Sequence, residues 1–523
     1  MTSTAIPAVQ PGTPESQPWP ALWALVVGFF MIIIDSTIVT IATPAILEHF
    51  QADISQVIWV TSSYLLAYAV PLLITGRLGD RLGPKNVYLA GLLVFTLASL
   101  WCGLSGSIEV LILARAVQGL GAALMTPQTM AVITRTFPPQ NRGTAMGVWG
   151  AVAGVAVLVG PIAGGLLVDS LGWQWIFFVN VPIGVVAFAA ALRLVPRLET
   201  HMHSFDVLGV VLSAVAMFLI VFGIQEGERY DWGGIWGPVT VWELLAAGVV
   251  VLVAFVIWEH RTTSEPLLPL RLFKDRNFSL ANLGITAMSF VVTGMGFPMF
   301  LYTQTARGLT PTQSALLLTP MAVVSIALAP VVGRLIDRGN PKWFAATGFS
   351  LLALSLLLYS LLMTPDHSVL TLLIPSAIMG FANSGIWGPL SVTATRNLSQ
   401  RDAGAGAGVY NTTRQVGAVL GSAAIAAVMT ALLARELPGF AASGGAAQAQ
   451  SGAALPAHLV DGFSAAMAHT VLLPAAVSLV GVVCALLFVR PGYQQGGAHA
   501  AGRGGQEEPQ PWQADRAGVT TGD

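Results

Sequence analysis

Three ionisable residues stand inside long apolar stretches of this sequence: Asp35, Arg115 and Arg414. An ionised side chain in hydrocarbon costs on the order of 2.5–3.5 kcal/mol, so a residue kept there needs a partner or a task. Taking up and releasing a proton is the chemistry a lone buried acid suits, and Asp35 is the only acid expected well inside such a stretch. The alternative is an acid satisfied by an arginine or by hydroxyl groups for folding alone. Counting about 1.5 Å per helical residue puts Asp35 and Arg115 at one depth, roughly 20 Å from one membrane face, where they could pair. Arg414 comes out about 14 Å from the same face, with Asn411 and Gln415 on the same or adjacent turns. A task in proton coupling and plain packing are equally open for it. Ser36, Thr40 and Thr43 follow i, i+4, i+7 spacing beside Asp35, but hydroxyls in membrane helices more often bond local carbonyls. Tyr64, Asn383, Trp387, Asn411 and Gln415 are candidate contacts for a bound molecule. Trp232, Trp236 and Trp242 read instead as interface anchors. The sequence has no HExxH, P-loop or GxSxG motif and no cluster of His and Cys. Neither an enzyme, a metal site, a cofactor nor ATP hydrolysis is therefore expected.

The elements that must carry these residues follow from composition. Of 523 residues, 54% are hydrophobic and another 55 are glycine. Only 9% are charged, against roughly 25% in soluble domains. Mean hydropathy is +0.72. Such a supply cannot cover a water-soluble surface and excludes disorder over most of the chain. With 24 basic against 25 acidic residues, nucleic-acid binding is also excluded. The expected class is an all-α, polytopic membrane protein. Cys102 and Cys484 both fall in apolar segments and make no disulfide framework. The first twenty residues hold no Lys or Arg, so no cleavable signal is expected there.

A span needs roughly 20 apolar residues. Fourteen stretches qualify: about 21–43, 56–76, 86–105, 109–133, 144–168, 174–194, 206–224, 242–258, 279–302, 313–335, 343–362, 369–393, 404–433 and 467–489. With the N-terminus in the cytoplasm, 19 of the 24 Lys and Arg fall in cytoplasmic segments, three outside and two within spans. That bias orients the chain, with both termini cytoplasmic. Nothing in the outer loop near 435–466 points to a partner protein.

The chain also repeats itself. Residues 76–85 read GRLGDRLGPK and residues 333–342 read GRLIDRGNPK, seven of ten identical at an offset of 257. Further on, Arg135/Arg396 and Gly147/Gly408 pair at an offset of 261. Both basic copies face the cytoplasm, so the repeat is parallel, and a path between the halves is expected. The domains expected are a disordered N-terminus over 1–20, a six-helix bundle over 21–195, and a linker with two extra spans over 196–260. A second six-helix bundle follows over 261–490, then a disordered tail over 491–523.

The loop GRLGDRLGPK resembles the signature of the major facilitator superfamily. The resemblance implies a conformational latch of Asp80, Arg81, Asp337 and Arg338, in which Asp80 caps or bridges a neighbouring helix end and Arg81 pairs across the half. The fifth stretch, with Gly150, Gly154, Gly160, Pro161, Gly164 and Gly165, resembles the antiporter motif of drug exporters. Its glycines leave a smooth face, and Pro161 kinks the helix. IDSTIVTIATPAI, LARAVQGLGAA around Arg115, WIFFVNVPIG, PLLPLRLF and NTTRQVG are similar to the drug/proton antiporter family with fourteen spans, although Thr40–Thr43 departs from its pattern. Matches run from about residue 34 to 422. The resemblance implies the major facilitator fold, two six-helix halves plus two central helices. It also implies proton-driven export of amphipathic drugs or antibiotics, a multidrug-resistance function in a bacterial plasma membrane. Protons, a small-molecule substrate and lipid are the partners expected, with Asp35, Arg115 and Arg414 coupling the proton. Two alternatives stay open: export of one metabolite or self-made antibiotic, and a non-transporting receptor or scaffold.

Overall fold

The structure is a computed structural model. It describes residues 18–489 apart from 53, 139–140, 199, 201–205, 228–229, 231, 263–265, 400–401 and 438–454. The chain divides into two units, Met1–Phe488 and Val489–Asp523, and every helix named below belongs to the first. Residues 1–17, the whole of the expected tail and most of the outer loop lie outside the described residues.

Apolar runs in lipid must satisfy their own backbone, and helices do so. The chain forms α1 (Pro18–Phe50), α2 (Ile54–Ala69), α3 (Leu72–Leu82), α4 (Pro84–Gly103), α5 (Ile108–Thr136) and α6 (Arg142–Leu171). Then come α7 (Trp175–Phe178), α8 (Asn180–Leu194), α9 (Val207–Gly227), α10 (Val241–Arg261), α11 (Arg276–Leu301) and α12 (Pro311–Leu316). The last six are α13 (Thr319–Arg338), α14 (Pro341–Leu362), α15 (Leu373–Thr395), α16 (Ala403–Glu436), α17 (Ala457–Thr470) and α18 (Leu472–Leu486). α1 thus begins within the stretch expected to be disordered.

Side chains set many of these ends. Asp275 accepts from the Asn277 and Phe278 amides at the start of α11, and Ser107 from Val110 at the start of α5. Thr240 and Glu243 cap α10 reciprocally. α2 and α3 meet at an angle of 47° beside Pro71, which has no N–H to donate. A two-stranded ribbon, Gly234–Trp236 with Val239–Thr240, joins α9 to α10; no strand was expected. There Trp232 stacks on Trp242 at 5.3 Å between ring centroids, while the Trp236 side chain is outside the described residues.

Each expected span coincides with a helix or bent helix pair. Among the described residues, twelve helices are long and apolar enough to cross a membrane, or thirteen with α2–α3 as one bent span. Fourteen is not reached by that count. α6, at the expected fifth span, is not among them; it contains residues 157, 158, 161 and 169, whose side chains are outside the described residues.

The repeat shapes the packing. α6 lies against α13 and α15, and α16 against α3 and α5, so that each half lends one long glycine-rich helix to the other. α9 and α10 pair with each other, and α9 also leans on α2 and α16.

Candidate functional site

Asp35 on α1 and Arg115 on α5 are both fully buried and pair at 2.5 Å between Oδ2 and Nη1. Removing one partner of such a pair costs about 3–5 kcal/mol, because the other charge is left alone in the interior. Neighbours complete the site. Gln118 Nε2 and Asn180 Nδ2 donate to Asp35 Oδ1 at 2.8 and 3.0 Å. Asn180 also donates to Ser99 Oγ at 3.1 Å. Arg115 donates from Nη1 to Gln118 Oε1 at 2.6 Å and from Nε to the Val60 carbonyl at 3.1 Å, while its Nη2 has no partner among the described residues. Its guanidinium lies 4.1 Å over the Tyr64 ring, a cation–π contact. Gln118 was legible as the i+3 neighbour of Arg115. Asn180 and Ser99 come from other helices, and no local spacing announced them.

Tyr64, expected as a candidate contact for a bound molecule, lies over the charge site. It is buried, its hydroxyl donates to the Ile32 carbonyl at 3.3 Å, and its ring stacks on Tyr68 at 6.1 Å. Tyr68 in turn accepts a 2.8 Å hydrogen bond from Arg414 Nη2 on α16, and its hydroxyl meets Thr126 Oγ1 at 3.2 Å. A chain of contacts thus runs from Asp35 through Arg115, Tyr64 and Tyr68 to the arginine of the opposite half. Asn411 is buried, and its amide donates to the Ala407 carbonyl at 2.9 Å and meets Met130 Sδ at 4.0 Å. Gln415 is buried on the same helix. Ser36 and Thr43 donate to their own helix, at the Ile33 and Val39 carbonyls, and line no polar stripe; the Thr40 side chain is outside the described residues.

The duplicated motif forms a duplicated contact. Asp80, at the end of α3, accepts from the Gly404 and Ala405 amides, both at 3.0 Å, at the start of α16. Asp337, at the end of α13, accepts from the Gly143 and Thr144 amides at 2.7 and 3.1 Å, at the start of α6. Each carboxylate sits on the positive end of a helix dipole in the other half. Arg135 pairs with Asp80 within the N-terminal half. Its repeat mate Arg396 lies near Asp337; burial pushes Arg396 down to about 10, against the pull of that carboxylate, so it stays charged at neutral pH. Arg81 and Arg338, the residues after the two aspartates, are both exposed. One residue turns a helix by about 100°, so each arginine leaves its helix in a different direction from the aspartate before it. Arg77, one turn earlier, donates to the carbonyls of Pro266 and Leu267.

Backbones touch at these two seams. A Cβ on Gly76 would stand 2.5 Å from the Gly404 carbonyl, and one on Gly333 would stand 2.7 Å from Thr144 Cα. Between α6, α13 and α15 lies an open cleft lined by Gly150, Gly154, Ser325, Asn383, Ser384 and Trp387 among others. The expected smooth face of α6 is divided between neighbours. Gly160 and Gly164 admit Thr37 and Ile38 of α1, and Gly150 admits Trp387. Gly154 faces open space and Gly165 has only Thr312 nearby, at 3.8 Å. Pro161 lies in the helix, its side chain outside the described residues.

Asp35 is not the sole buried acid. Glu226 and Glu259 are 1% and 4% exposed, near the ends of α9 and α10. Both lie just past the stretches set by hydropathy, which is why they were missed. Among the described residues no group of three or more His, Cys, Asp and Glu could hold a metal.

The chain is similar to other proteins over most of its length. An uncharacterized MFS-type transporter of Mycobacterium tuberculosis is 52% identical over 474 residues, 90% of this chain and 81% of that one. The tetracenomycin C resistance and export protein of Streptomyces glaucescens is 36% identical over 426 residues, 81% and 78% of the two chains. The crystal structure of the human organic anion transporter MFSD10 superposes with a TM-score of 0.58 at 14% identity, covering 89% of this chain and all of that one, which shows the shared fold. The family model for the Major Facilitator Superfamily matches residues 25–422. With two halves joined by twin aspartate caps and a sequence matched over most of its length, the chain belongs to the major facilitator superfamily of transporters.

Proposed function

We propose that this transporter exports amphipathic drugs or antibiotics from the cytoplasm in exchange for protons, acting in multidrug resistance at a bacterial plasma membrane with both termini in the cytoplasm. The observation that carries the reading is the sealed Asp35–Arg115 pair, a carboxylate whose only opposite charge within bonding distance among the described residues is that arginine. A proton arriving from outside neutralises Asp35 and weakens its hold on Arg115. Tyr64 and Tyr68 touch the arginines on either side, so the change reaches Arg414 in the other half. The aspartate caps at both seams belong to a state closed on the cytoplasmic side, and their release opens the cleft at Asn383 and Trp387 inward. A glycine-lined cleft with one aromatic and a few polar groups suits apolar, variable cargo.

The test is Asp35→Asn in proteoliposomes with an imposed pH gradient. Drug accumulation and drug-induced proton release should both be lost while drug binding persists; an unchanged proton release would refute the role of Asp35. Export of one metabolite is the second reading, favoured by the relative named for tetracenomycin C. Protection of cells against a single compound out of a broad panel would select it. A wild-type protein that moves nothing under a gradient would point instead to a receptor or scaffold.

A further inference from the structure

Residues 266–272, which precede α11, are held from both sides through one peptide group. Arg77, next to the latch on α3, donates from Nε to the Leu267 carbonyl at 3.1 Å. The Leu268 N–H of that same peptide donates to Glu259 Oε2 on α10, also at 3.1 Å. Around it Leu267 and Leu272 are packed with Leu73 of α3, Phe255 of α10, Phe278 of α11 and Val409 of α16. Farther along, Arg271 pairs at 2.6 Å with Asp402, two residues before the amide that Asp80 caps. The segment is therefore a strap across the α3–α16 seam, anchored in the extra helices. The α6–α13 seam has no equivalent among the described residues.

The other oxygen of Glu259 is placed differently. Oε1 is buried and has no hydrogen-bond partner among the described residues. It lies 2.7 Å from where a Cβ on Gly209 would stand, and Asp206 Oδ2 crowds the same point. Two carboxyl oxygens thus share one small space that only a glycine leaves open. Asp206 already accepts from the Gly209 amide at 2.9 Å and from Trp258 Nε1 at 3.0 Å. Among the described residues, Asp206, ahead of α9, and Arg77, on α3, are the charged groups facing Glu259.

We propose that Glu259 is a second proton-binding carboxyl, outside the transport path, that sets how firmly the cytoplasmic latch is held. The idea rests on reading the Asp80 contact as a latch that opens during transport. Ionised, Glu259 accepts the strap's N–H as a charge-assisted bond, and polarisation of that peptide strengthens the hold of Arg77 on its carbonyl. Protonated, it donates from Oε1 to Asp206, loses that charge assistance, and the strap loosens. An acidified cytoplasm therefore favours opening of the cytoplasmic side. Glutamine copies the protonated form, with an amide N–H for Asp206 and a carbonyl for Leu268.

The experiment places spin labels at Leu82→Cys and Trp343→Cys, exposed residues in opposite halves. Distances are read in lipid nanodiscs over a pH series without substrate or gradient. Every sample carries Asp35→Asn, which removes the transport proton from the measurement, so an error in its assignment leaves the comparison intact. With Glu259 present, the open-to-closed ratio should rise about tenfold as pH falls, the difference between a charge-assisted and a neutral hydrogen bond. Glu259→Gln should hold the open value throughout, and Glu259→Asp should restore part of the response. Infrared difference spectra should show a protonated-carboxyl band that Glu259→Gln lacks. Superimposed pH curves with and without Glu259→Gln, whether both respond or neither does, would overturn the proposal.

Discussion

Arg414 Nη2 on α16 lies 2.8 Å from the phenol oxygen of Tyr68 on α2, and this hydrogen bond ties the C-terminal half to the aromatic pair over Arg115. The bond is worth more than a neutral one because its donor is charged, about 1.5–3 kcal/mol. Tyr68→Phe keeps the ring and removes the oxygen. Export from proteoliposomes should fall by about tenfold or more with little change in melting temperature. Equal export by the two proteins would show that Arg414 is only a packing residue.

Asn180 is the amide that bridges Asp35 and Ser99. Asn180→Leu leaves two buried polar groups short of a donor, at about 1–3 kcal/mol each. We expect a lower melting temperature in detergent together with loss of proton-coupled export. Asn180→Asp places a second acid beside Asp35 and should abolish export even where the protein still folds.

The two aspartate caps each accept from two backbone amides but differ in further partners, Asp337 also accepting from Thr144 Oγ1 at 2.7 Å. Asp80 also holds Arg135, which is almost fully buried. Asp337→Asn should shift the balance toward the cytoplasm-open state by about fivefold, the effect of roughly 1 kcal/mol at a helix N-terminus. Asp80→Asn should shift it further, because Arg135 loses its carboxylate. Thiol labelling of a cysteine placed in the cleft, approached from the cytoplasmic side, measures both; equal shifts would contradict the asymmetry.

Glycines at the seams and in the cleft should respond in opposite ways. Gly76→Ala and Gly333→Ala would press a methyl onto backbone atoms at 2.5 and 2.7 Å, so the cytoplasm-closed state and transport should both be weakened. A methyl on Gly154 meets nothing within 4 Å. Gly154→Ala should retain turnover and change the concentration of drug needed for half-maximal export, as should Trp387→Ala. Loss of turnover in Gly154→Ala would place that residue in the packing and not in the cleft.

Much of this was readable from the chain alone, and the reason differs by feature. Helix positions follow from apolar runs, because unpaired backbone is not tolerated in lipid. Their ends do not, since α9 and α10 continue past the hydropathy limits and bury Glu226 and Glu259. Equal depth made a pairing of Asp35 with Arg115 conceivable. That Asn180 and Ser99 complete the site depends on how α4 and α8 rotate against α1, and no local spacing encodes rotation.

The sequence by itself determined the class of the molecule and its duplicated halves, and it singled out Asp35, Arg115 and Arg414 among the charges inside. Those features rest on hydropathy and on identities along the chain, which are local and additive. Only the tertiary structure decided that Asp80 and Asp337 cap helices of the opposite half, that Tyr64 faces Arg115, and that one glycine leaves room for two carboxyls. Such relations are set by which faces of different helices meet. Energies of a few kcal/mol depend there on ångströms that pattern does not carry.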